Sequence, residues 1–209
     1  HQHGAAPVFV DVGGEAGQIK SQTLTRAYGE AARRYGAIIN TYTPVAKLLA
    51  EKGRIKGIVT AAGDEWDAPK VLVTSGAYTT QLVASVGVEI PVYPERHNLL
   101  VTEAVEVFEC PMVLCMDDGA YFKQLPNGTF FFGRDDQGEP HTTECGNSAK
   151  FLEGVTTSVL KRMPSLSSIR VVRQWSGPYD NTPDHNVIID WTPVEGLLIN
   201  CGWSGHGLQ

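Results

Sequence analysis

Residues 197–207 read LLINCGWSGHG, and they decide how the rest of the chain is interpreted. The apolar run 197–200 has the length of a buried strand, and the glycines that follow it let backbone amides approach a ligand closely. A helix beginning there would favour an anionic group. Ser204 nearly fits the G-x-S-x-G motif of serine hydrolases, but His206 occupies the last glycine position. We therefore interpret the segment as a strand followed by a ligand-binding turn.

A second strand of this kind lies earlier in the chain. Residues 70–74 (KVLVT) form a continuous apolar run, typical of a strand covered on both faces, and Ser75-Gly76 ends it. Strand ends gather at ligand crevices in α/β sheets, so two such transitions indicate a binding site. The spacing predicts a helix from Ser21 as N-cap to Gly36 as C-cap, and a buried strand over residues 37–40.

The middle of the chain has a different pattern. Short β-like runs recur there, and residues 120–125 and 129–132 flank Pro126-Asn127-Gly128, a strong hairpin signal. A helix is predicted over residues 148–163. Residues 173–184 (RQWSGPYDNTPD) favour a loop held by local side-chain hydrogen bonds. We predict an α/β fold of mixed α+β character with two intertwined subdomains, residues 7–90 with 190–209 and residues 91–189.

Composition excludes several classes of protein. The chain has 209 residues, 42% of them hydrophobic, and carries 17 Lys and Arg against 23 Asp and Glu, a net charge of −6. Nucleic-acid binding usually needs a basic surface. We expect neither a membrane span, because no apolar run approaches the roughly 20 residues required, nor a signal peptide. Four cysteines without a C-x-x-C pair favour reduced thiols and a cytoplasmic location, and the histidine spacing predicts no metal site.

Several segments together resemble one family. They are residues 43–45 (TPV), 71–78 (VLVTSGAY), 94–103 (PERHNLLVTE), 121–124 (YFKQ), 175–177 (WSG) with 182–184 (TPD), and 202–207 (GWSGHG). In this order they resemble the FAD-dependent amine and amino-acid oxidoreductases of the D-amino-acid oxidase type. The similarity is greatest to the branch of sarcosine oxidase β-subunits and dimethylglycine dehydrogenases.

This resemblance implies FAD as cofactor and a substrate that is a secondary or tertiary amine or an amino acid, such as sarcosine, proline or dimethylglycine. Hydride would pass from the carbon beside the amine to the flavin. The implied catalytic residues are Tyr121 and Tyr179, which would line the substrate side, and His206, whose amide would face the flavin. The implied cofactor-binding residues are Val45, Ser75, Gly76, Ala77, Gly202, Ser204, Gly205, His206 and Gly207.

The sequence also departs from the family pattern. No glycines stand at G-x-G-x-x-G spacing, so we expect a partial FAD-binding, Rossmann-like layer that alone binds FAD weakly. Some relatives have a carboxylate-binding arginine where Tyr179 stands and a lysine where Gln209 stands; Lys123 or Arg96 could replace them. A non-catalytic scaffold or assembly factor is therefore the alternative. We expect homo- or hetero-oligomers to cover unpaired sheet edges.

Overall fold

The structure is a computed structural model that describes residues 7–12, 15–108, 111–135 and 138–207, with side chains from Ser21 onward. The helices are α1 (Ser21–Arg34), α2 (Thr79–Ala84) and α3 (Ala149–Arg162). The strands are β1 (Pro7–Val12), β2 (Glu15–Lys20), β3 (Val45–Glu51), β4 (Arg54–Thr60), β5 (Glu65–Asp67), β6 (Val71–Val73), β7 (Tyr93–Ala104), β8 (Val113–Leu114), β9 (Ala120–Gln124), β10 (Thr129–Arg134), β11 (Val171–Asn181), β12 (Ile188–Trp191) and β13 (Leu197–Cys201).

The largest sheet has five antiparallel strands in the order β11-β7-β10-β9-β8. Side chains alternate between its two faces. One face, with Phe122, Phe130 and Phe132, packs against the apolar side of α3. Helix α3 begins where the Ser148 hydroxyl accepts a hydrogen bond from the Phe151 amide, an N-cap that satisfies one unpaired donor of the first turn. The helix therefore fixes one face of the sheet and leaves the other for the site.

Besides the core between α3 and the five-stranded sheet, a second core lies on one face of the mixed sheet β12-β13-β6. In this sheet β13 and β6 run parallel. Its inner face, with Val73, Leu197 and Ile199, packs against α2 and against Ile55 of the β3-β4-β5 sheet. The outer face carries Leu72 and Trp191, both more than half exposed. The prediction that residues 70–74 are covered on both faces is therefore wrong for the described part of the chain.

The structure confirms some of the other predictions and corrects two. The fold class is confirmed, as are the β9–β10 hairpin, the helices α1 and α3, and the strand after residue 196. The buried strand over residues 37–40 is wrong: these residues are exposed and join no sheet. The loop over residues 173–184 is also wrong as far as Asn181, because ten residues of β11 pair with β7. The subdomain boundaries stay a prediction.

No helix among the described residues is long and apolar enough to cross a membrane.

Candidate functional site

Two glycine-containing turns and the end of β11 meet beside the five-stranded sheet. The first turn, residues 75–77, follows β6, and the second, residues 202–207, follows β13. Asp180 of β11 joins them. Its Oδ2 accepts a 2.7 Å hydrogen bond from the Gly202 amide, and a Cβ placed on Gly76 would stand 4.0 Å from the same oxygen. The structure thus brings together the two segments that the sequence assigned to one ligand.

The second turn presents its backbone outward. Ser204 and Gly205 both have positive φ, 48° and 85°, and the His206 amide closes the turn with a 2.7 Å hydrogen bond to the Trp203 carbonyl. Positive φ at both central residues is typical of a type I′ turn. Gly205, His206 and Gly207 are exposed, whereas Ser204 is buried. Its hydroxyl accepts a 3.2 Å hydrogen bond from the Thr182 amide, so Ser204 holds the turn and is no exposed nucleophile.

Tyr179 lies directly under this turn and stacks on His97. The ring centroids are 3.7 Å apart with an interplanar angle of 17°. A Cβ on Gly205 would lie 2.6 Å from Cε2 of Tyr179, so the turn touches the ring at a position where only glycine fits. Gly205 therefore connects the cofactor side predicted from the sequence with the substrate side.

His97 is the polar centre of this face of the sheet. Nδ1 lies 3.6 Å from Oδ1 of Asp135, and Nε2 lies 3.6 Å from Oε1 of Glu95 and has no hydrogen-bond partner among the described residues. Burial lowers the pKa of His97, and the nearby carboxylates of Asp135, Glu95 and Glu139 oppose that shift only in part. A neutral imidazole with one unsatisfied nitrogen is thus held at the base of the site.

Tyr121 completes the same face from β9. Its ring lies across Gly133, where a Cβ would be 2.0 Å from Cζ, and it meets Phe131 edge-on with centroids 6.3 Å apart. Burial raises the pKa of Tyr121 well above its ordinary range, and the phenol of Tyr179 and the carboxylate of Asp135 add to the effect. Burial also raises the pKa of Tyr179. Both phenols therefore remain hydrogen-bond donors at neutral pH.

Ser75, Ala77 and Val45 are the other residues predicted to bind the cofactor. Ser75 pairs with the Thr79 hydroxyl at 3.2 Å, and Ala77 is buried in the first turn. Val45 begins β3, where it pairs with Thr60 in another sheet. Gln209 lies outside the described residues.

Arg96 and Lys123, the two candidate partners of a substrate carboxylate, lie on different faces of the five-stranded sheet. Arg96 points to the α3 face and is bound to Glu139 at 2.8 Å, so it cannot replace an arginine on the site face. Lys123 does share the face of Tyr121, as the alternation along β9 predicts.

Sequence reasoning missed His97, Glu95, Asp135 and Asp180 as site residues. The available signal was the alternation in 94–103, which places Glu95 and His97 on one face of a strand. A shallow cleft of about 340 Å³ opens next to the second turn, lined by His185, Val187, Trp203 and His206. Within the described ranges, no group of three His, Cys, Asp or Glu side chains is arranged to hold a metal ion.

Comparison with known proteins decides the family. The family of FAD dependent oxidoreductases, DAO, matches residues 12–209. The chain belongs to the DAO family. Sarcosine oxidase subunit beta from Rhodobacter capsulatus is 25% identical over 195 residues, which cover 93% of this chain and 47% of that protein. Glycine oxidase from Pseudomonas putida is 29% identical over 81% of this chain and 46% of its own length.

A solved structure agrees with this assignment. L-proline dehydrogenase from P. horikoshii superposes with a TM-score of 0.85 at 29% identity, covering 92% of this chain and 52% of that one. This DAO chain thus spans about half the length of the relatives that it matches.

The residues present fit the FAD on which DAO proteins depend. Gly205, His206 and Gly207 of the second turn are exposed, and Gly76 in the first turn takes a left-handed φ of 52° and has no side chain to cover its backbone. Backbone amides in such turns bind anionic or carbonyl groups closely. The unsatisfied Nε2 of His97 belongs to the ring that stacks on Tyr179, which the second turn also contacts. A flavin at the turn would therefore have a polar, buried surface beside it.

Proposed function

We propose that this DAO protein, at its full length, oxidises the C–N bond of a secondary or tertiary amine or of an amino acid similar to sarcosine, proline or dimethylglycine. The observation that carries the proposal is the contact between the exposed glycine turn and the Tyr179–His97 stack. It brings a backbone surface suited to a flavin against a face suited to an amine. The proteins named sarcosine oxidase, glycine oxidase and proline dehydrogenase support this class of substrate.

The proposed amine-binding groups are His97, Glu95 and Asp135. Most free amines carry a proton at neutral pH, and the nitrogen lone pair must be free before the neighbouring carbon can release hydride. The two carboxylates attract the ammonium form, and the neutral imidazole accepts a proton at Nε2, its unsatisfied nitrogen. The lowered pKa of His97 keeps the accepting form present at neutral pH.

Tyr121 and Tyr179 orient the substrate in this proposal. Their phenols stay protonated, because burial raises both pKa values, and can donate hydrogen bonds to a substrate carboxylate. Lys123, on the face of Tyr121, supplies a positive charge in the same region. FAD, when bound, supplies the hydride acceptor. The amides of Gly205 and Gly207 are proposed to face the part of the ring that becomes negative, because the His206 amide already donates to the Trp203 carbonyl.

Two further features of the full protein are proposed. We infer that it associates with another subunit, since relatives bear the name subunit beta. A cytoplasmic location is supported by the three unpaired cysteines among the described residues, Cys115, Cys145 and Cys201.

The test uses the full-length gene product, purified and scanned in the visible range. A flavin band that bleaches when sarcosine, proline, dimethylglycine or a D-amino acid is added without oxygen would support the enzyme. A protein without flavin would contradict it. A stable flavin band that no amine bleaches would favour the scaffold, for which the observation is that Tyr179 offers a stacked, uncharged ring to the substrate side.

A further inference from the structure

Asp180 contacts the second glycine-containing turn and lies beside the first, whereas its neighbour Tyr179 on β11 contacts His97. Because successive side chains of a strand point to opposite faces, Tyr179 stacks on His97 while the Asp180 carboxylate points to the two turns. Oδ2 accepts the 2.7 Å hydrogen bond from the Gly202 amide, and the carbonyl oxygen of Asp180 accepts a 3.0 Å bond from the Ser204 amide. One residue thus holds the second turn at two points.

The first turn faces the same carboxylate. A Cβ on Gly76 would lie 4.0 Å from both Cγ and Oδ2 of Asp180, so the first turn lies beside that carboxylate. Thr182, two residues further along, supports the arrangement: its amide donates to the Ser204 hydroxyl, and its γ-methyl fills the space beside Gly202. The end of β11 therefore fixes the second turn, next to the first turn and to Tyr179.

The carboxylate is also a charge in a partly dry environment. Burial first, and the charge of Asp180 second, raise the pKa of the Cys201 thiol to about 11. In these surroundings the Asp180 carboxylate supplies the acceptor for the Gly202 amide. Its removal leaves the amide of Gly202, a buried residue, without its partner.

We propose that Asp180 is a positioning residue for the site: it holds residues 75–77 and 202–207 in register with Tyr179, so that FAD binding and amine binding both depend on it. This inference rests on the proposed function. Asp180 acts through the turns and through Tyr179, and the hydrogen-bond acceptor at Oδ2 is the property that matters.

The experiment compares Asp180→Ala and Asp180→Asn in the full-length gene product, with Asp190→Ala as the matched control. Asp190 is an exposed acid on β12 whose carboxylate also accepts a backbone amide, that of Trp191, away from the turns. We measure the FAD dissociation constant by titrating the apoprotein, and the amine concentration that half-saturates flavin reduction. Asp180→Ala should weaken FAD binding about ten- to hundredfold, the effect of an unpaired buried amide. Asp180→Asn keeps an oxygen acceptor and should stay within about threefold of the wild type.

Each outcome bears on the inference. Unchanged FAD affinity in Asp180→Ala would overturn it, as would an asparagine variant as weak as the alanine variant. If Asp180→Ala does not fold, the test rests on Asp180→Asn. Near wild-type values of its FAD dissociation constant and of its half-saturating amine concentration support the inference. A clear increase in either value contradicts it. A wild-type protein without flavin would overturn the proposed function and the inference together. A flavin-binding wild type with an indifferent Asp180→Ala would overturn the inference alone.

Discussion

Gly205→Ala should separate the turn from Tyr179 and slow flavin reduction in the full-length protein. The new Cβ would lie 2.6 Å from Cε2 of Tyr179, whereas carbon atoms pack at about 3.5–4.0 Å, so the ring or the turn must move by about 1 Å. A misplacement of about 1 Å can lower a reaction rate about a hundredfold. The φ of 85° adds a backbone cost of about 1–2 kcal/mol for a residue with a side chain.

Gly87→Ala is the matched control for this change. Gly87 has a φ of 78°, and a Cβ there would meet nothing within 4 Å, so the substitution carries the backbone cost without the clash. Gly205→Ala should lose at least as much stability as Gly87→Ala in urea unfolding, and only Gly205→Ala should lose about two orders of magnitude in the rate of anaerobic flavin bleaching. Equal bleaching rates in the two variants would show that the contact between the turn and Tyr179 is not part of the site.

Three other substitutions test separate parts of the structure. Gly133→Ala would place a Cβ 2.0 Å from Cζ of Tyr121; it should displace that ring and raise the amine concentration needed for half-maximal reduction, and an unchanged value would remove Tyr121 from the substrate side. His97→Gln should flatten the pH dependence of stability. The folded pKa of His97 lies below 6.5, so the unfolded chain takes up the proton first and the wild type loses stability as the pH falls through that value. Equal urea midpoints for wild type and variant across that range would contradict the burial of His97. Phe151→Ala, at a fully buried position under the five-stranded sheet, should cost about 3–5 kcal/mol in urea unfolding, and a loss below 1 kcal/mol would contradict the packing of α3.

Local signals in the sequence predicted the elements that depend on local chemistry. Pro126-Asn127-Gly128 and the alternation on either side of it predicted the β9–β10 hairpin, and Ser148 marked the start of α3. The two glycine-rich strand ends predicted that residues 75–77 and 202–207 would serve one site, and they do meet at Asp180.

One element that depends on distant pairing, the second half of β11, was not predicted. The stretch from Arg173 to Asn181 has the Gly, Pro, Asp and Asn residues of a loop, but its pairing with β7 overrides those preferences. Pro178 is tolerated because β11 is an edge strand of its sheet, where a missing amide leaves no ladder bond broken. Residues 37–40 show the converse, since an apolar run forms a strand only beside a partner strand.

The centre of the site was missed for the same reason. The surroundings of His97 are formed by Tyr179, Glu95 and Asp135. Two of these residues, Tyr179 and Asp135, lie far along the chain from His97. Its burial and its unsatisfied Nε2 are properties of the folded sheet. The motifs that resemble the family indicated Tyr121 and Tyr179, while the imidazole between them and the carboxylates became visible only in three dimensions.

The amine-binding role of the His97 face is tested most directly by the rate at which the flavin of the full-length protein bleaches after anaerobic mixing with sarcosine. This rate is compared with the rate for sarcosine deuterated on the carbons beside the nitrogen. Proline replaces sarcosine if sarcosine does not bleach the flavin. Bleaching should be slower with the deuterated amine, because a C–H bond beside the amine breaks as the flavin is reduced. It should be slower again in His97→Gln. A flavin that no amine in the panel bleaches, or bleaching that is indifferent both to deuterium and to His97→Gln, would contradict the assignment of this face as the amine-binding side of the flavin.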